Sequence, residues 1–138
     1  MYPIPIKTIN TIIPMPKILI IDDDANTTWL FDNTFSKEGY KIHSVNIGAN
    51  ALPEALDFNP DLILLDLMMP DMDGIEVCKS LQSNSELRKI PILIFSAVGE
   101  VKSKVAAFDA GARDFITKPV HIDELKSRVK NWVNHKEI

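Results

Sequence analysis

The polar residues able to do chemistry in this chain sit at the ends of short apolar runs. "KILIIDDD" (17–24) closes on Asp22, Asp23 and Asp24, and "DLILLD" (61–66) closes on Asp66. "PILIFS" (91–96) ends at Ser96 and "DFITK" (114–118) at Lys118. Two carboxylates ~4 Å apart repel by about 4 kcal/mol at an effective dielectric near 20. If the fold brings Asp22, Asp23 and Asp66 together, they need a proton, a cation or both, and Lys118 offers a single positive charge. An all-oxygen donor set favours magnesium, calcium or manganese over zinc. One or two carboxylates with space for a phosphate is a magnesium pattern.

The elements that must position these residues follow from the same runs. "KILIID", "YKIHSV" (40–45), "DLILLD", "PILIFS" and "DFITK" are short and rich in branched side chains, so each is expected to be a strand. "KILIID", "DLILLD" and "PILIFS" lack polar alternation, as strands buried on both faces of a parallel sheet do. Helical patterns separate them. Asp24 is expected to cap a helix reaching Glu38 and stopping at Gly39, and Asn50 to cap the next, with Pro53 in its first turn. Asp73 precedes a third, carrying Ile75, Cys78 and Leu81. A fourth runs from about Glu100 to a left-handed Gly111, and the last places Leu125, Val129, Trp132 and Val133 on one stripe. The result is an α/β domain of (βα)5 type with right-handed crossovers. In such sheets ligands bind at the carboxyl ends of the strands, where strand order reverses. Asp22, Asp23, Asp66, Ser96 and Lys118 all fall at that edge.

With 138 residues, 46% of them hydrophobic, the chain has the content of one domain with its own core. A net charge of −4 argues against a general nucleic-acid or anionic-membrane surface, so no direct nucleic-acid binding is expected. Cys78 is the only cysteine, which excludes an intrachain disulfide and a cysteine-built metal site and suits a cytoplasmic setting. No apolar run approaches the ~20 residues that span a bilayer. "MYPIPIKTINTIIPMP" is broken by Pro3, Pro5, Pro14 and Pro16 and lacks the form of a signal peptide, so residues 1–15 are expected to be an extended arm and 16–136 the domain.

"ILIIDDD", "LILLDLMMPDMDG", "ILIFSA" and "GARDFITKP" resemble the signature segments of response-regulator receiver domains, over roughly residues 16 to 136. The intervals suit that family: 43 positions from Asp23 to Asp66, 30 more to Ser96 and 22 more to Lys118. The resemblance implies a flavodoxin-like sheet in the order 2-1-3-4-5. It implies that Asp66 is the phosphoacceptor, taking a phosphoryl group from the phosphohistidine of a histidine kinase or histidine phosphotransfer protein. Asp22, Asp23, Asp66 and the main-chain carbonyl of Met68 would hold Mg2+, with Mn2+ as a substitute. Lys118 and Ser96 would contact the phosphoryl group, Ser96 and Phe115 would form the switch, and the Lys118–Pro119 peptide would be cis. The output would be a downstream effector or fused output domain, with a possible phosphorylation-dependent homodimer through the fourth helix, fifth strand and fifth helix. The protein would then be a signalling phosphoacceptor rather than an enzyme acting on other molecules. Ser96 stands where threonine is also common and Val120 where phenylalanine is frequent, while Met68 and Val98 flank the site at positions that tune phosphoryl lifetime.

Blander readings exist for each residue. Asp24 is explained by capping alone, and Phe115 by core packing. "DMDG" (71–74) imitates two other motifs: Pro70 and two methionines separate it from the strand, unlike a phosphatase Asp-x-Asp-Gly, and Gly74 is misplaced for a calcium loop. Asp71 and Asp73 are therefore expected to be turn and cap residues. His43, His121 and His135 are scattered and suggest no metal cluster. A Mg2+-dependent phosphohydrolase acting on a separate substrate is the alternative from another functional class. It would need a second catalytic acid that the sequence does not supply. A third reading is a receiver used as a constitutive interaction domain, against which the complete acidic set argues.

Overall fold

The computed structural model describes residues 15–97 and 100–134. The expected arm, apart from Met15, lies outside these residues, as do Val98 and the end of the expected domain. Five parallel strands, β1 (Lys17–Ile21), β2 (Lys41–Val45), β3 (Leu62–Asp66), β4 (Ile92–Ser96) and β5 (Asp114–Thr117), form one sheet in the order β2-β1-β3-β4-β5. The chain reverses direction across the sheet between β1 and β3, which opens the crevice at their carboxyl ends.

The register explains why the inner strands show no polar alternation. Leu19, Ile21, Ile63, Leu65, Ile92 and Ile94 point to one face, while Ile18, Ile20, Leu62, Leu64, Leu93 and Phe95 point to the other. Both sets are buried, so every position of the strand needs an apolar side chain. Helix α1 (Ala25–Lys37) covers the second face with Phe31 and Phe35, joined by Leu125 and Val129 of α5 (Ile122–Asn134). The Phe31 and Phe95 rings meet edge-on at 5.3 Å between centroids. The first face is covered by α2 (Ala51–Phe58), α3 (Gly74–Ser83) and α4 (Val101–Asp109).

Local chemistry sets the helix ends. Asp24 caps α1 by accepting from the Asn26 N–H at 2.9 Å, and Asp73 caps α3 by accepting from Ile75 N–H at 2.9 Å. Gly111, at φ 110°, supplies the expected left-handed turn after α4. The expectation for Asn50 is corrected. A 3-10 turn at Gly48–Asn50 leads directly into α2, and Asn50 lies in helical conformation with no side-chain cap bond. The helix does begin right after Asn50, but the turn before it carries the amides that a distant loop satisfies, those of Gly48 and Ala49. Asn59, at φ 52°, terminates α2 with its N–H on the Ala55 carbonyl at 2.8 Å.

Gly74 is required by a close approach. A Cβ there would lie 2.4 Å from Leu67 Cα and 2.7 Å from the Leu67 carbonyl oxygen, both immobile backbone atoms. Gly74→Ala is expected to lower the free energy of unfolding by about 2 kcal/mol or more. The check is a downward shift of the urea midpoint with an unchanged m-value.

Candidate functional site

The carboxylates come together because of the sheet register. β1 and β3 pair Ile18 with Leu62, Ile20 with Leu64 and Ile21 with Leu65. One further step brings Asp22 beside Asp66 on the same side of the sheet. Both are buried, while Asp23 is exposed. Asp22, Asp23 and Asp66 each offer an oxygen within 4.8 Å of the others.

Asp66 is well partnered. Its Oδ2 accepts from Lys118 Nζ at 3.0 Å and its Oδ1 from the Met68 N–H at 3.0 Å. Lys118 reaches it from just past β5, where its own main-chain N–H donates to the Ser96 carbonyl at 2.8 Å. The ammonium also lies 5.2 Å from the centroid of the Phe95 ring, a favourable cation–π placement. Ser96, the last residue of β4, is fully buried.

Asp22 is poorly partnered. Its Oδ1 accepts from the Asp24 N–H at 3.1 Å, but its Oδ2 is buried with no hydrogen-bond partner. Burial, opposed by that N–H bond and reinforced by the charge of Asp66, pushes the Asp22 carboxyl up to about 7. A buried oxygen without a donor, inside an all-oxygen group that also includes Asp23 and Asp66, fits a hard divalent cation such as Mg2+ or Mn2+. Asp24 belongs to the cap instead. Its carboxyl is held low by the Asn26 N–H and the Thr27 hydroxyl.

The remaining expected residues fall around this centre. Met68 has an exposed side chain, and its main chain forms an antiparallel bridge with Asp73. The Lys118–Pro119 peptide is cis. Phe115 is buried against the face that α4 covers, with the Lys104 ammonium 5.7 Å from its ring centroid. His43 joins no ligand set and pairs with Glu54 at 2.6 Å. Cys78 is buried against the Ala110 carbonyl, and burial pushes its thiol up to about 11, so it is unreactive at neutral pH.

Asp71 holds a place that residue patterns did not reveal. Its Oδ1 accepts from the Gly48 N–H at 3.1 Å and its Oδ2 from the Ala49 N–H at 3.2 Å. The partner amides lie 23 and 22 residues earlier, so no local motif could announce the contact.

An open parallel sheet whose carboxyl edge gathers three aspartates around a lysine defines a receiver-type α/β module. Residues 18–130 match the model of the response regulator receiver domain, and the chain belongs to that family of two-component signalling proteins. It is 39% identical over 116 residues to the DNA-binding dual master transcriptional regulator RpaA of Synechocystis, covering 84% of this chain and 48% of that protein. It is 42% identical over 114 residues to the transcriptional regulatory protein ResD of Bacillus subtilis, covering 83% of this chain and 46% of that one. The chain spans about half the length of these curated relatives. Among solved structures, the receiver domain of the Francisella response regulator 1452 superposes with a TM-score of 0.81 at 32% identity, over 88% of this chain and 99% of that one. Among the described residues, no helix is long and apolar enough to cross a membrane.

The raised carboxyl of Asp22 generates a prediction. Because its folded value exceeds the ordinary 3.8, protonation favours the folded state, and stability is lost as pH rises from about 4 through about 7. Above that window the metal-free protein holds a buried charge that the Asp24 N–H and the Lys118 ammonium offset only in part. Asp22→Asn should therefore raise stability in EDTA at pH 8 by about 1 kcal/mol or more, roughly 4 °C in Tm. The same variant should flatten the pH dependence between pH 5 and 8 and abolish any Mg2+-induced rise in Tm. Thermal melts across pH, with and without Mg2+, check all three.

Proposed function

We propose that Asp66 is the phosphoacceptor of this receiver domain, which works in the cytoplasm as a unit spanning residues 16–136. The observation that carries this reading is the pairing of Asp66 with Lys118 at 3.0 Å beside the unpartnered Oδ2 of Asp22. In the transfer, a carboxylate oxygen of Asp66 attacks the phosphorus of a phosphohistidine on a histidine kinase or phosphotransfer protein. The oxygen–phosphorus bond forms as the phosphorus–nitrogen bond breaks, and the imidazole leaves. Asp22, Asp23, Asp66 and the main-chain carbonyl of Met68 would hold Mg2+, which supplies charge compensation for the phosphoryl oxygens when bound.

The chain's own groups do the rest. Lys118 screens the charge of Asp66 before transfer and pairs with the phosphoryl group afterwards. The Met68 N–H holds the Asp66 carboxylate in one orientation. Ser96, at the end of β4, hydrogen-bonds a phosphoryl oxygen of the product, and Phe115 follows it as the second element of the switch. The altered surface comprises α4, β5 and α5, where Val101, Val105 and Phe108 of α4 stand exposed. That face would control an effector, a fused output domain or a second copy of the domain. The two curated relatives are named as transcriptional regulators, about twice as long as the part matched here, which supports an output segment as the recipient.

Incubation with acetyl phosphate and Mg2+ should add one phosphoryl group, seen by intact mass, and EDTA should prevent it. Asp66→Asn should reduce labelling to background. Labelling that survives this substitution unchanged would overturn the assignment. Repeated turnover of a generic phosphoester would instead support the phosphohydrolase reading.

A further inference from the structure

The loop from Leu67 to Gly74 follows the phosphoacceptor directly and carries the main chain of Met68, whose N–H orients Asp66. Its stem is held by backbone contacts and by the burial of Leu67 and Met69. Met68 bridges Asp73, and the Gly74 N–H reaches the Leu67 carbonyl at 3.2 Å. The tip is held elsewhere, by Asp71, whose two carboxylate oxygens take the Gly48 and Ala49 amides at the start of the turn leading into α2. The seat is closely packed: a Cβ on Gly48 would lie 2.9 Å from Met72 Cβ and 3.3 Å from Met69 Cε. The same connection after β2 is tied to the acidic cluster from its other side, since the Asp22 N–H donates to the Val45 carbonyl at 3.0 Å. Asp71 thus links two backbone segments, each of which touches one of the buried aspartates.

We propose that Asp71 is a positioning residue for the phosphoacceptor site. By accepting from Gly48 and Ala49, it pins the loop to the head of α2 and fixes the main chain of Met68 against Asp66. The inference rests on the reading of Asp66 as phosphoacceptor and of Met68 as a main-chain ligand. A bland role is available, in which Asp71 only caps α2 and contributes stability. The two differ in what they do to Met68 and to the cation.

Three variants separate them. Asp71→Ala should weaken Mg2+ affinity on the order of 10-fold, the low end for residues that orient metal ligands. It should slow labelling by acetyl phosphate at low Mg2+ and recover the wild-type rate at saturating Mg2+. Hydrogen exchange at the Met68 amide should accelerate in the metal-free protein. Asp71→Asn, which keeps one acceptor oxygen, should fall between wild type and Asp71→Ala, and it decides the matter if the alanine variant does not fold. Asn59→Ala removes the left-handed terminator at the other end of α2. It should lower Tm while leaving Mg2+ affinity and Met68 exchange at wild-type values. If the Asp71 variants behave like Asn59→Ala, Asp71 is a helix cap and the proposal is overturned. A wild-type protein that neither labels nor binds Mg2+ would refute the phosphoacceptor reading, whereas Met68 exchange would still judge Asp71 by itself.

Discussion

Two carboxylates buried side by side, Asp22 and Asp66, impose the constraint around which the rest of the site is arranged. They are held together because Asp22 follows β1 and Asp66 ends β3, two strands paired in register through buried residues 18–21 and 62–65. Their repulsion must be offset by groups brought in from elsewhere. Lys118 arrives from beyond β5, two strands away from β3, and the Met68 and Asp24 amides arrive from loops. The compensation is uneven: Asp66 has a partner on each oxygen, while one oxygen of Asp22 has none. Stability has been left incomplete at the place where a cation can complete it, a common signature of a functional site.

The other side of Lys118 connects this charge balance to the fold. Its main chain is bonded to the end of β4, and β5 precedes it, so the residue that pairs with Asp66 is itself fastened to that pair of strands. The amino end of β5 is held firmly. Asp114 accepts from Arg128 at 2.6 Å and from the Trp132 indole N–H at 2.9 Å, fastening the strand to α5. One carboxylate thus takes a guanidinium on one oxygen and an indole on the other, both from α5.

Much of this arrangement is legible in the sequence. The unalternated runs gave buried parallel strands, and the convergence of several such runs on aspartates, a serine and a lysine marked the crevice. Gly111 and the caps at Asp24 and Asp73 were legible because their partners lie within four residues. Asn50 is a good capping residue type at a plausible place, but a 3-10 turn precedes the helix there, and the amides at the head of that turn, Gly48 and Ala49, are satisfied by Asp71 across more than twenty positions of chain. Trp132 was read as one of an apolar stripe, and its ring does pack there, yet its N–H serves Asp114. Periodicity reports which face a side chain takes. It is silent on which distant polar atom that face will meet.

The helices around the sheet are not equally anchored. α3 buries Gly74, Val77, Cys78 and Leu81, and its entry loop is tied down by Asp71 and by the close approach of Gly74 to Leu67. α4 buries only Ala107, while Val101, Val105 and Phe108 face solvent. Segments with few buried apolar contacts open and shift at small free-energy cost. Both helices lie on the same face of the sheet and follow the strands that end in Asp66 and Ser96, so that edge has one stiff neighbour and one soft one. Strain introduced at such a boundary is taken up by the softer element, because the same displacement costs less there. The packing beside the carboxyl edge is therefore firmest at α3 and most yielding at α4.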